Sequence, residues 1–227
     1  QNNWLFLDYK FNKNLEMNFL SHKNYKNNIF LRLYNNSYNS FFKKINNIQV
    51  DKIENKDLVK EKIKYLEHST GLMTAWLLNL KRLYDLTKKK LDIKNYHFLD
   101  VGCGNGIPLI YAYKKLPFKS YSGFDFVSHY VDISNKNISN SIGGGGGITI
   151  LNADASKYIL DDKSYFLFMF NPFDGFIMKK FIENNYNNLV KNKSVIAYSN
   201  YNQLDTIKNY TKNIQTIDRY KLFVCYF

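Results

Sequence analysis

The sequence predicts an α/β protein with a doubly wound, mainly parallel sheet of seven strands. Three observations carry this expectation. From about residue 95, short β-rich runs alternate with helical stretches, as consecutive strand–helix–strand units require. The first run ends in "FLDVGCGNG" (98–106), where three glycines at alternate positions lead straight into a helical pattern. The last two runs follow each other with no helix between them, which predicts an antiparallel pair at the C-terminal edge.

Taken in order, residues 1–55 are aromatic and asparagine-rich with a few short strand-like pieces. They are expected to form a helical or irregular extension or cap on a domain spanning 56–227. "KDLVKEKIKYLE" (56–67) predicts a helix. Met73, Trp76, Leu77, Leu80 and Tyr84 recur at helical spacing, predicting an amphipathic helix over about 70–90. "YHFLDV" (96–101) is the first strand, and Pro108 suits the first turn of the helix that follows the glycines. "YSGFDF" (121–126) is a strand and "VSHYVDISNKNI" (127–138) a helix. "ITIL" (148–151), "SYFLFMF" (164–170) and "SVIAYS" (194–199) are strands, with "GFIMKKFIENNYNNLV" (175–190) a helix between the last two. "IQTIDRY" and "KLFVCYF" complete the sheet. The five glycines Gly143–Gly147 read as a flexible linker, natural or engineered, at the edge opposite any ligand.

Composition bounds the function. The 227 residues suffice for one full-sized domain. No run approaches the roughly 18 apolar residues of a membrane span, and "QNNWLFLDYKFNKN" lacks the layout of a signal peptide. Cys103 and Cys225 are the only cysteines and form no CxxC, so a cytoplasmic setting without disulfides is expected. The net charge is +13 and the pI near 9.4. So basic a protein would attract nucleic acid or another polyanion. The lysines are dispersed, however, arginine is scarce, and lysine and asparagine crowd together as an AT-rich coding sequence would make them.

A strand, a glycine turn and a helix N-terminus form a ligand-binding arrangement, because the backbone is open and free N–H groups point outward. A plain glycine turn is the alternative. The spacing D-x-G-x-G-x-G resembles the first motif of class I S-adenosyl-L-methionine (SAM)-dependent methyltransferases, whose fold is Rossmann-like. The resemblance covers roughly residues 65–227. It implies that Asp100 serves the ligand's ammonium and that Gly102, Cys103, Gly104, Asn105 and Gly106 wrap its methionine and ribose parts. Asp125, with Phe126 beside it, ends the second strand about twenty residues on, where Rossmann-like sites bind ribose hydroxyls. "NADAS" follows the third strand, so Asp154 and Ala155 would meet the adenine.

After the fourth strand, "FMFNPFDGF" is similar to the family's (D/N)PPY substrate-side motif, with one proline and no tyrosine. The resemblance gives Asn171 and the Pro172 carbonyl the acceptor's NH₂ group and stacks Phe173 on it. A rigid turn with Phe173 in the core is the competing account. Methyl transfer to a hydroxyl would need a base. His68 and Asp174 are the candidates, and helix capping is the plainer role for His68 with Ser69 or Thr70. His97 is read as structural, while His22 and His129 lie in the extension and on the ribose side. No clustered ligands suggest a metal. A small molecule or glycan precursor is the first acceptor expected, a protein or nucleic acid the second, and a non-catalytic SAM-binding module the third alternative.

Overall fold

The structure, a computed structural model, describes residues 29–50, 68–69, 72–143 and 146–227. The first fourteen residues, His22, the helix expected over 56–67, Thr70 and the boundary at residue 55 lie outside the described residues.

Helix α1 (Ile29–Ile45) lies in the 1–55 span read as a helical or irregular extension with a few short strand-like pieces. It buries Leu31, Asn35, Asn39 and Phe42. The spacing is helical, but asparagine holds two of the four places, which hides the apolar stripe from periodicity. Helix α2 (Leu77–Thr87) is shorter than the 70–90 span predicted. Asn39 sets its start: the side-chain amide donates to the Ala75 carbonyl (2.8 Å), and its oxygen accepts the Leu77 N–H (3.1 Å). Residues 72–76 are not helical, and Met73 is exposed rather than part of a buried helix face.

The strands are β1 (His97–Val101), β2 (Ser120–Asp125), β3 (Ile148–Asn152), β4 (Tyr165–Met169), β5 (Val195–Ser199), β6 (Ile214–Ile217) and β7 (Leu222–Tyr226). They form one sheet in the order β3-β2-β1-β4-β5-β7-β6. β1 to β5 are parallel, and β7 pairs antiparallel with both β5 and β6. This is the Rossmann-like, doubly wound, mainly parallel seven-stranded sheet that the pattern predicts. β7 lies one place in from the edge. Its five residues are all buried, whereas β6 is only partly so; the continuous apolar run takes the covered position and the mixed one the rim.

Helices α3 (Ile107–Lys115), α4 (Ser128–Ile142), α5 (Gly175–Lys191) and α6 (Leu204–Lys208) make the crossovers. Side chains alternate across the sheet. Phe98, Phe166, Phe168, Ala197 and Val224 face α2, α3 and the α1 residues Leu31 and Phe42. Leu99, Leu167, Met169, Ile196 and Phe223 face α5 and α6. Helix α4 runs four residues past its predicted end at 138 and stops at Gly143 (φ +69°), whose left-handed conformation closes it. The glycine run thus joins the end of α4 to the start of β3, at the N-terminal edge of the parallel strands.

Candidate active site

β1 lies between β2 and β4, so the chain leaves it one way and resumes on its other side. Loops after neighbouring strands diverge at such a switch point, and a crevice opens above their C-terminal ends. An open cleft lies there, spanning about 1100 Å³ with the solvent at its mouth included. It is lined by Asp100 near the end of β1 and Gly102, Cys103, Gly104 and Asn105 after it, by Asp125 at the end of β2 and Phe126 after it, and by Asp154 and Ala155 after β3. Pro172 and Phe173 close it from the β4 side, with His68 at the rim. Of the residues singled out from sequence, Gly106, Asn171 and Asp174 are not in the lining.

Gly102, Gly104 and Gly106 all have positive φ (+72°, +52° and +72°), where only glycine is comfortable. Their neighbours are protein. A Cβ on Gly102 would stand 2.7 Å from the Pro172 Cβ, and one on Gly104 2.6 Å from the Leu72 Cδ1. At Gly106 the obstacle is the Ser134 hydroxyl. The glycines therefore let the β1 and β4 loops touch and let the 72–76 segment and α4 approach, which the ligand-only account of them does not capture. Helix α4 then holds the loop: Ser134 donates to the Gly104 carbonyl (3.0 Å) and Asn137 to the Asn105 carbonyl (2.9 Å).

Two carboxyls lie buried in this cleft. Asp125 is fixed by the backbone N–H groups of Gly104 (2.9 Å) and Val127 (3.0 Å). Burial still pushes its pKa above the usual range. Asp100 is 2% exposed, and its Oδ2 has no hydrogen-bond partner within the described structure. Burial, with the Asp125 charge adding to it, lifts the Asp100 pKa to about 8. Asp154 is half-buried and accepts the Ser156 N–H (2.8 Å). Cys103 is buried and free, and burial raises its thiol pKa.

Beyond β4 the chain turns sharply. Asn171 has φ +47° and is buried, and its side-chain oxygen accepts the Tyr198 hydroxyl (3.1 Å). Asp174 caps α5, its Oδ1 accepting from Phe176 (3.0 Å) and Ile177 (3.2 Å). Its Oδ2 lies 2.6 Å from His68 Nδ1. The two candidate bases, 106 positions apart, are thus one pair. Burial would raise the Asp174 pKa, but the hydrogen bonds from His68, Ile177 and Phe176 outweigh it and hold the carboxyl below its usual range. The capping role expected for His68 with Ser69 or Thr70 at the 70–90 helix is not seen: that helix, α2, starts at Leu77 with Trp76 at its N-cap, whose side chain makes no cap hydrogen bond. His97, on β1, pairs with Ser120 across the sheet, as a structural histidine does; His129 is outside the cleft lining.

Sequence reasoning missed Leu72, which packs over Gly104, and Thr74, Tyr130, Phe170 and Ile177, which also line the cleft. The Leu72–Gly104 contact has no local signal. Phe170 directly precedes the NPF motif and could have been found there. Among the described residues, no group of three or more histidine, cysteine or acidic side chains could hold a metal ion, and no helix is long and apolar enough to cross a membrane.

No protein-family model and no curated protein sequence matches the chain. Solved structures to which it is similar include the ribosomal protein L11 methylase of Lactobacillus delbrueckii subsp. bulgaricus, at 20% identity over 64% of this chain and 76% of that one (TM-score 0.45). TrmN from Thermus thermophilus is similar at 14% identity over 60% of this chain and 41% of that one (TM-score 0.45). The glycopeptide N-methyltransferase MtfA, complexed with SAM, is similar at 11% identity over 52% and 53% (TM-score 0.42). The chain spans about half the length of the last two. The acceptors in these proteins' names differ, a ribosomal protein in one and a glycopeptide in another.

Proposed function

We propose that the chain is a SAM-dependent methyltransferase acting on a small-molecule acceptor. One observation carries the cofactor: the buried, unpartnered Oδ2 of Asp100, which lines the cleft beside the glycine loop. An orphaned carboxylate oxygen there is costly unless something pairs with it, and an ammonium group fits. Asp125 keeps lone pairs beyond its two backbone hydrogen bonds for ribose hydroxyls, and Asp154 and Ala155 flank the place for adenine. A pyrophosphate would meet two buried carboxyls and fits poorly. Bound there, SAM supplies an electrophilic methyl group on its sulfonium.

The chain's own residues then position the acceptor, and alignment of that kind supplies on the order of 7–11 kcal/mol of barrier reduction. Phe170, Phe173 and Tyr130 offer an apolar wall for a small acceptor's body, and Pro172 brings its carbonyl to the same loop. Asn171, held by Tyr198, supports that loop from behind. A macromolecular acceptor has the +13 charge in its favour, but the apolar lining and the cover by residues 72–75 favour the small one. The unit proposed for this chemistry is 56–227, with α1 contributing to its core.

Calorimetry with SAM tests the assignment. The parent is expected to bind, and Asp125→Ala to bind about 10- to 100-fold more weakly, the range for losing a hydrogen bond to a charged group. A folded parent that takes up no SAM would end this reading.

A further inference from the structure

We infer that His68 and Asp174 form a general-base dyad that takes the proton of a hydroxyl acceptor, so that the reaction is O-methylation of an alcohol or phenol. The inference rests on the methyl-transfer reading and adds the acceptor class to it. It is carried by a division of labour at Asp174. Oδ1 is committed to the α5 cap, while Oδ2 is given to His68 at 2.6 Å. The pair is not needed to tether the 68–69 segment. Backbone contacts already do that, through the Asp174 N–H to the His68 carbonyl (3.0 Å) and a β-bridge between Ser69 and Phe173.

The imidazole is also fixed in plane. It stacks on Phe176 with centroids 4.8 Å apart and 27° between the planes. His68 and Phe173 both line the cleft, and the His68 and Asp174 side chains are 25% and 44% exposed, which leaves a route for a proton to water. Asp174 is an ionised acceptor, held so by its hydrogen bonds, so the shared proton sits on His68 Nδ1 and Nε2 is the basic nitrogen. A neutral amine attacks with its own lone pair and has no use for such a base before transfer. A hydroxyl does. As the acceptor oxygen bonds to the methyl carbon, the carbon–sulfur bond breaks with its electron pair going to sulfur. The hydroxyl proton passes to His68 Nε2, and Asp174 stabilises the imidazolium until the proton leaves to water. His68 is the catalytic residue and Asp174 the positioning residue.

The first test needs no turnover. Two-bond ¹⁵N–¹H spectra of the full chain at pH 9, with His68 identified by its loss in His68→Gln, are expected to show the Nδ1–H tautomer. Asp174→Asn is expected to lose that preference, a change that a purely structural cap would not cause. An Nε2–H tautomer in the parent would overturn the dyad. The second test supplies methyl-labelled SAM to a small-molecule cell extract and reads the product by mass spectrometry. Methyl ethers are expected, with His68→Gln slower by about 10²-fold or more while its SAM binding by calorimetry matches the parent. N-methyl products, no labelled small molecule, or a parental rate in His68→Gln would each overturn the inference. A parent that binds no SAM would instead remove the methyl-transfer reading beneath it.

Discussion

Asp100 combines almost complete burial, an unpartnered oxygen and a carboxyl whose pKa burial lifts to about 8. An acid that is harder to ionise in the fold than in the unfolded chain stabilises the fold at low pH. That contribution is lost as pH rises from near 4 through about 8, because only the folded state then holds the proton. The free protein's melting temperature should therefore fall between pH 6 and 9, and Asp100→Asn should flatten that part of the curve. The same proton reports on binding. An ammonium at Oδ2 requires the ionised carboxyl, so SAM binding at pH 7 should release protons from the parent and fewer from Asp100→Asn. Calorimetry in two buffers of different ionisation enthalpy reads that number, and equal proton release from both would place the cation elsewhere. The acid itself is legible in "FLDVG"; its protonation is not, because it depends on strands β2 and β4 removing water on both sides.

At the scale of elements, asparagine is the residue that sequence patterns misread. Among the described residues eight asparagines are buried: 35, 39, 46, 79, 105, 137, 171 and 185. Asn185 alone accepts the Leu160 N–H (2.7 Å) and donates to the carbonyls of Tyr158 and Phe181, binding the chain after β3 to α5. Such side chains serve as clamps on backbone groups, whatever coding bias supplied them. Asn39, which joins α1 to the start of α2, is the clearest case. Asn39→Ala would leave the buried Ala75 carbonyl and Leu77 N–H without this partner and should cost about 1–3 kcal/mol in denaturant unfolding. An exposed-site effect of under half a kcal/mol would mean that α1 is not held through this contact. The α1 stripe was missed because two of its four inward residues are polar, while α5, with Ile177, Met178, Phe181 and Ile182 inward, was predicted to within a residue at each end.

For the whole molecule, the parallel topology separates chemistry from connection. Every residue proposed to meet SAM or acceptor lies at or above the C-terminal ends of the strands, while Gly143–Gly147 joins the opposite edge. A Cβ on Gly143 or Gly147 would meet nothing within 4 Å, though both have positive φ. Removing Gly144 and Gly145 should leave SAM affinity and methyl-transfer rate within twofold of the parent, measured by calorimetry and label transfer. A loss of tenfold or more would couple this loop to the cleft.

By itself the sequence determined the strand–helix alternation, the order of the strands' motifs and the acids at their ends. Each of these is a local pattern: a two-residue alternation, a helical spacing, or a glycine run beside an acid. Only the tertiary structure decided what the glycines accommodate, namely Pro172, Leu72 and Ser134, from 28 to 70 positions away. It also brought His68 to Asp174 and turned Asn171 toward Tyr198. Gly102 meets Pro172 because β1 and β4 lie side by side, and Asn171 meets Tyr198 because β4 and β5 do. Pairing of that range is fixed by burial on both faces of the sheet at once, a condition that no short window of sequence contains.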